Sequence, residues 1–262
     1  MPRDIIDDRL IGALHVRALN RRGFRHDPAA DHVAYQAGTL QALMEGHLGG
    51  DATVGDVLAH GDLGIGTVQH VAGELVIVDG EAYVVDAEGV VSPVDPATPT
   101  PFAVACRFSD VAHLDVNTPL DLPGFRAAVD DLLPGHVDVV AVRATGVVAG
   151  LRLRSIHAQQ PPYPPLAAVI EHQTEWTVAS ARGTVVGFRF PDAIAGIEAP
   201  GHHLHFLSDD RTTGGHVLDM TLQRGRVAVD GGEELHVELP DHIALGVPGD
   251  AERGAIRSIE EG

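Results

Sequence analysis

From Thr53 to Val94 the chain reads "TVGDVLAHGDLGIGTVQHVAGELVIVDGEAYVVDAEGVVSPV", short apolar runs cut at close intervals by glycine or Asp-Gly. That punctuation points to strands joined by tight turns throughout the stretch. Its sharpest piece is "ELVIVDGEAYVV", two apolar runs separated by Asp79-Gly80, a dipeptide that accepts the left-handed backbone of a two-residue hairpin loop. The same texture returns in "VDVVAVRATGVVAGLRLRSI", "TEWTVASARGTVVGFRFP" and "RGRVAVDGGEELHVELP". Aromatic residues make up only 4% of the chain, so β-branched and small side chains must fill these strands.

Helical spacing is confined to three places. "YQAGTLQALMEGHLGG" sets Leu40, Leu43 and Met44 on one face and stops at Gly49-Gly50. "LDLPGFRAAVDDLLPG" does the same with Phe125, Val129, Leu132 and Leu133 and ends before Pro134, and "PLAAVIEHQT" starts a shorter helix. Without regular βαβ alternation the expected class is α+β, mixed β-sheets with a few helices arranged as two β-rich subdomains. The expected divisions are a charged, flexible N-terminal arm over 1–30, an α+β subdomain over 31–160, and a β-rich, metal-binding subdomain over 161–262. The Pro-rich "QQPPYPPL" forms the extended connection between the last two.

The formal net charge of −19 leaves no surplus of Lys or Arg to neutralise phosphates, which excludes a nucleic-acid partner. An anionic ligand would need a local cationic pocket. Cys106, the single cysteine, can form neither an internal disulfide nor a thiolate cluster, and its apolar setting in "PFAVACRF" marks a buried, inert side chain. The N-terminus lacks the apolar core of a signal peptide, and no run approaches the ~18 apolar residues of a membrane span. A cytoplasmic protein without a membrane partner is expected.

The chemistry concentrates in "GHHLHFLSDDRTTGGHVLD", Gly201 to Asp219. Sixteen histidines in 262 residues supply about one His-x-His by chance, so the spacing of His203 and His205 argues nothing alone. Geometry argues more. On a strand, residues two apart share a face and lie roughly 6.6 Å apart, within reach of one ion. "SDDRTTGG" supplies turn chemistry, with Asp209 and Asp210 able to bond to nearby backbone and Gly214-Gly215 permitting a tight reversal, and a strand returning there sets His216 beside His205. Three neutral imidazoles with coordination positions left open describe a catalytic metal, with zinc favoured over iron or manganese. His202 points to the opposite face.

With these residues in view the sequence resembles the α-acetolactate decarboxylase family. The resemblance is carried by "YQAGTLQAL", "HGDLGIGT", "GELVIVDGEAY", "PFAVACRF", "LRLRSIHAQQPPYPPL", "GTVVGFRFP" and the histidine stretch, in family order from about residue 35 to 230. It implies a zinc-dependent, homodimeric carboxy-lyase that turns (S)-2-acetolactate into (R)-acetoin and CO2, with Zn2+ on His203, His205 and His216. It also implies site roles for Thr67, Glu74 and Arg154, and for a glutamate in the closing "SIEEG", Glu260 or Glu261 with Glu261 favoured. Either Glu74 or Glu261 could ligate the metal or deliver a proton. The chain departs from the family pattern at His202 and Arg189, where aromatic side chains are usual, and in "SIHAQQPPY", where a Val-Pro and Lys-containing version is usual although Arg154 is kept. Two other readings fit a His-x-His strand: a cupin-like metal oxygenase or isomerase, and a non-enzymatic β-rich binding module holding zinc structurally.

Overall fold

The computed structural model describes residues 5–11, 14–19, 32–133, 139–232 and 234–239. The chain opens with strands β1 (Ile5–Ile11), β2 (Leu14–Leu19) and β3 (Val33–Ala37), then helix α1 (Leu40–Met44), the two-residue β4 (Ala52–Thr53) and helix α2 (Val54–His60). α2 lies where the sequence pattern indicated only strands and turns. Its start is a reciprocal cap: Thr53 Oγ1 accepts from the Asp56 amide at 3.1 Å while Asp56 Oδ2 accepts from the Thr53 amide at 2.8 Å.

Strands β5 (Leu63–Thr67), β6 (Glu74–Val78), β7 (Glu81–Val85), β8 (Val91–Pro93), β9 (Pro99–Thr100) and β10 (Phe102–Cys106) follow. β6 and β7 form the expected hairpin, with Val78 opposite Glu81 and positive φ at both Asp79 (54°) and Gly80 (77°). Next come β11 (Ala112–Val116), β12 (Leu120–Asp121), helix α3 (Leu122–Leu132) and the long β13 (Val139–Ser155). Helix α4 (Leu166–Ile170) precedes β14 (Thr174–Phe190), β15 (Gly201–Ser208), β16 (Gly214–Gly232) and β17 (Glu234–Glu238).

These strands build two principal sheets, confirming the α+β class. The first has the order β1-β2-β17-β3-β10-β5-β6-β7-β8. The second runs β11-β16-β13-β14-β15, and β15 also pairs with β16, so β13 to β16 form a closed circuit. Strand membership crosses the division expected near residue 160 in both directions. β11 to β13 belong to the sheet of the histidine strands, whereas β17 is inserted parallel between β2 and β3 of the other. Within the segment expected as an arm, β1 and β2 pair with each other and β2 pairs with β17.

The sheets face each other across a core of Leu63, Ile65, Val76 and Val104 from the first and Val186, Phe188, Phe190 and Leu207 from the second. α3 covers the far side of the second sheet with Phe125 and Val129, and α2 covers the first with Val54 and Val57. Cys106 is buried in the shared core, as expected. Burial, reinforced by Asp230 and Asp62, raises its thiol well above the usual range, so the thiolate is suppressed.

Candidate active site

The histidine hairpin is held from both sides. β15 is laid against β14 with Phe188 opposite His203 and Val186 opposite His205, while Leu204 and Phe206 sink into the core beneath α3. The reversal that follows is made by Asp209 to Thr213, with Asp210 bonding to nearby backbone as expected, and it is complete before Gly214-Gly215. Ser208 Oγ donates to Asp210 Oδ1 at 2.6 Å, Asp210 Oδ1 accepts from the Thr212 amide at 3.1 Å, and Arg211 takes φ 58°. Gly214 and Gly215 already stand in β16, opposite Leu207 and Phe206, which brings His216 opposite His205 as the sequence pattern required.

His203, His205 and His216 therefore converge, with one ligand atom of each within 4.8 Å of the others and all three buried. His203 Nε2 and His205 Nε2 lie 3.2 Å apart, close to the separation of two tetrahedral ligands each bonded at ~2.0–2.1 Å to one zinc. His205 Nδ1 donates to the carbonyl of Leu75 at 2.8 Å, which fixes the tautomer and leaves the Nε2 lone pair facing its neighbours. Burial, then the charge of Arg154, lowers the His203 pKa to about 3. Burial also drives His205 well below its ordinary value, helped by His203 and Arg154. Neutral imidazoles with aimed lone pairs are the donor set a divalent metal needs, so the residues present fit zinc.

His203 and His216 border a cavity of about 480 Å³, its open mouth included, walled by Leu40, Leu43, Val71, Phe102, Ile156, Leu166 and Ile170, while His205 is fully buried beside them. Besides histidine, its polar lining among the described residues is Thr67, Glu74 and Arg154. Glu74 is the first residue of β6, opposite Thr67 on β5, and its Oε2 lies 3.4 Å from His205 Nε2. Thr67 Oγ1 donates to the Gly73 carbonyl at 2.7 Å, so its hydroxyl offers the cavity lone pairs rather than its proton. Arg154 is 4% exposed although Arg152, two residues earlier, is in solvent. The register slips between them, from Arg152 opposite Asp219 to Arg154 opposite His216, an irregularity centred on Leu218 that the strand pattern did not signal. Arg154 Nη2 lies 3.4 Å from His216 Nε2. Glu260 and Glu261 lie outside the described residues.

Three contributors escaped the sequence reading. Gln173 accepts from Arg154 Nη1 at 2.8 Å, Glu198 Oε1 stands 3.8 Å from His203 Nδ1, and the Leu75 carbonyl orients His205. None carries a motif; the first two reach the site through side chains from segments that flank β14 and β15. His202 and Arg189 are opposite each other in the β14–β15 ladder. Both approach Asp130 of α3, at 3.5 and 3.4 Å. The two side chains thus share one carboxylate, on the face turned away from the trio.

Fold and site together define an α+β protein whose three-histidine centre, able to hold a metal, opens on a small cavity with a single cation among its described lining residues. The sequence pattern of the Alpha-acetolactate decarboxylase family matches residues 34–245. An alpha-acetolactate decarboxylase of Methylococcus capsulatus is 37% identical over 238 residues, covering 90% of this chain and 91% of its own. That of Klebsiella aerogenes is 33% identical over 215 residues, covering 82% and 83%. The crystal structure of alpha-acetolactate decarboxylase from Bacillus subtilis strain 168 superposes with a TM-score of 0.83 at 27% identity, over 88% of this chain and 100% of that one. The chain belongs to the α-acetolactate decarboxylase family, a family of carboxy-lyases.

Proposed function

We propose that the chain converts (S)-2-acetolactate to (R)-acetoin and CO2, as a cytoplasmic homodimer, with zinc held by His203, His205 and His216. The observation that carries the zinc-dependent reading is the convergence of three buried imidazoles, two of them held neutral by burial, beside a cavity whose other polar lining among the described residues is one cation, one carboxylate and one hydroxyl. Zinc bound there supplies a Lewis acid that stabilises the negative charge developing on oxygen.

Breaking the bond between the carboxylate and its carbon leaves an electron pair, which moves onto the adjacent ketone oxygen as an enediolate. Arg154 holds the departing carboxylate, because a guanidinium meets it with two parallel N–H donors. The apolar wall from Leu40 to Ile170 encloses the two methyl groups and excludes water. A carboxylic acid, Glu74 or Glu261, then returns a proton to one face of the carbon that lost CO2, which makes the acetoin a single enantiomer. Thr67 accepts a hydrogen bond from the substrate hydroxyl.

The test is turnover of racemic acetolactate by purified protein, read as acetoin on a chiral column beside zinc content per chain. One zinc per chain and (R)-acetoin are expected, with both zinc and activity lost in His205→Ala. Full activity in that variant, or in chelator-stripped protein, would overturn the zinc-dependent reading.

A further inference from the structure

Arg154 and Glu175 stand directly opposite each other in the β13–β14 ladder, a placement in which opposite charges ordinarily pair. Here they do not. Arg154 Nη1 donates to Gln173 Oε1 at 2.8 Å, and Gln173 Nε2 donates to Glu175 Oε1 at 2.8 Å. The other Glu175 oxygen lies 3.8 Å from Arg152 Nη1, on the solvent side. Among the described residues no carboxylate forms an ion pair with Arg154.

The interposed amide has only one workable orientation. Arginine can only donate and an ionised glutamate can only accept, so Oε1 must face Arg154 and Nε2 must face Glu175. Gln173 itself is anchored where α4 ends, its amide donating to the Ile170 carbonyl at 3.0 Å, and Leu166 and Ile170 of that helix wall the cavity. The chain thus places a neutral acceptor between a buried cation and an available carboxylate. Direct pairing with Glu175 would neutralise the guanidinium and leave a bound competitor for any anion entering the cavity. A neutral acceptor fixes the guanidinium plane and leaves its charge unmet. Arg154 Nε, buried and without a hydrogen-bond partner among the described residues, shows that its donor capacity is not exhausted.

We propose that Gln173 is a positioning residue for the decarboxylation: it holds Arg154 at the cavity wall by a hydrogen bond that does not spend its charge, reserving that charge for the substrate carboxylate. This rests on the reading of Arg154 as the group that meets that carboxylate.

Steady-state kinetics with racemic acetolactate on the zinc-loaded full chain test it, with Gln173→Glu, Gln173→Met and Arg154→Gln compared for KM, kcat, zinc content and Tm. Gln173→Glu supplies an acceptor that carries charge and is expected to raise KM about tenfold or more with kcat much less affected. Gln173→Met keeps the shape without the acceptor and is expected to raise KM severalfold; it decides the matter if Gln173→Glu does not fold. Wild-type KM in the folded Gln173 variants overturns the proposal, as does a loss confined to kcat or to Tm. If Arg154→Gln leaves KM unchanged, the reading of Arg154 fails instead. A raised KM in Arg154→Gln beside wild-type values at position 173 removes Gln173 alone.

Discussion

Glu74 is 7% exposed and holds a carboxylate oxygen 3.4 Å from His205 Nε2. A group so placed either completes the coordination of a metal or moves a proton, and an amide separates the two. Glu74→Gln keeps the shape, but its neutral amide binds zinc far more weakly than a carboxylate and cannot deliver a proton. We expect kcat to fall by about 10²-fold or more with zinc content unchanged, the scale of a lost general acid. Zinc falling in step with activity would assign Glu74 to the metal. At this scale the histidines were legible because strand periodicity and a turn determine which of them can meet. Thr67, Glu74 and Arg154 entered through the family resemblance, since a glutamate after a glycine and an arginine in a strand say nothing by themselves. Gln173 was not legible at all: a neutral amide has no spacing signature, and its role depends on which groups lie at its two ends.

The hairpin carries the trio only because β16 can lie close against β13 where Arg154 and His216 face each other. Gly215 adopts φ 131°, and a Cβ added there would come within 2.8 Å of the Arg154 carbonyl oxygen and 3.1 Å of the Trp176 ring. Gly215→Ala therefore strains its own backbone and pushes the two strands apart at the site. A loss of about 2 kcal/mol is expected, or roughly 4–8 °C in Tm for a chain of this size, together with weaker zinc binding. Thermal unfolding and a zinc titration check it; unchanged values in both would show that the ladder yields without cost. The sequence pattern set turn chemistry at Asp209 and Asp210, which holds for Asp210, and added Gly214-Gly215 as part of the reversal. The side chains of Ser208, Asp210 and Thr212 turn the chain first, and the glycines serve close approach instead. α2 was missed for a related reason. Gly55 lies in the first turn of this short helix and Gly61 caps its end, so glycine punctuation masks a helix that its Thr53–Asp56 cap holds in place.

Across the whole molecule the α+β class was readable, since it follows from element types alone. The sheet assignments were not. β17 joins β2 and β3 in parallel about 200 residues from its partners in sequence, and such pairing leaves no local mark. Charge also acts at this scale. A chain with a net charge of −19 repels an anionic substrate at a distance, while the charge of Arg154 is confined to the cavity lining. Because salt shortens the Debye length from about 30 Å at 0.01 M to about 10 Å at 0.1 M, kcat/KM for acetolactate should rise severalfold over that range. A falling profile would mean that the local field of Arg154 dominates the approach. The hydrogen bond from His205 to the Leu75 carbonyl joins the two sheets at the reacting centre, across 130 residues of sequence. The hairpin is consequently not a portable module. Grafted onto another scaffold it would carry three imidazoles, but neither the carbonyl that orients one of them nor the carboxylate that faces it, and the graft would bind metal without inheriting the chemistry.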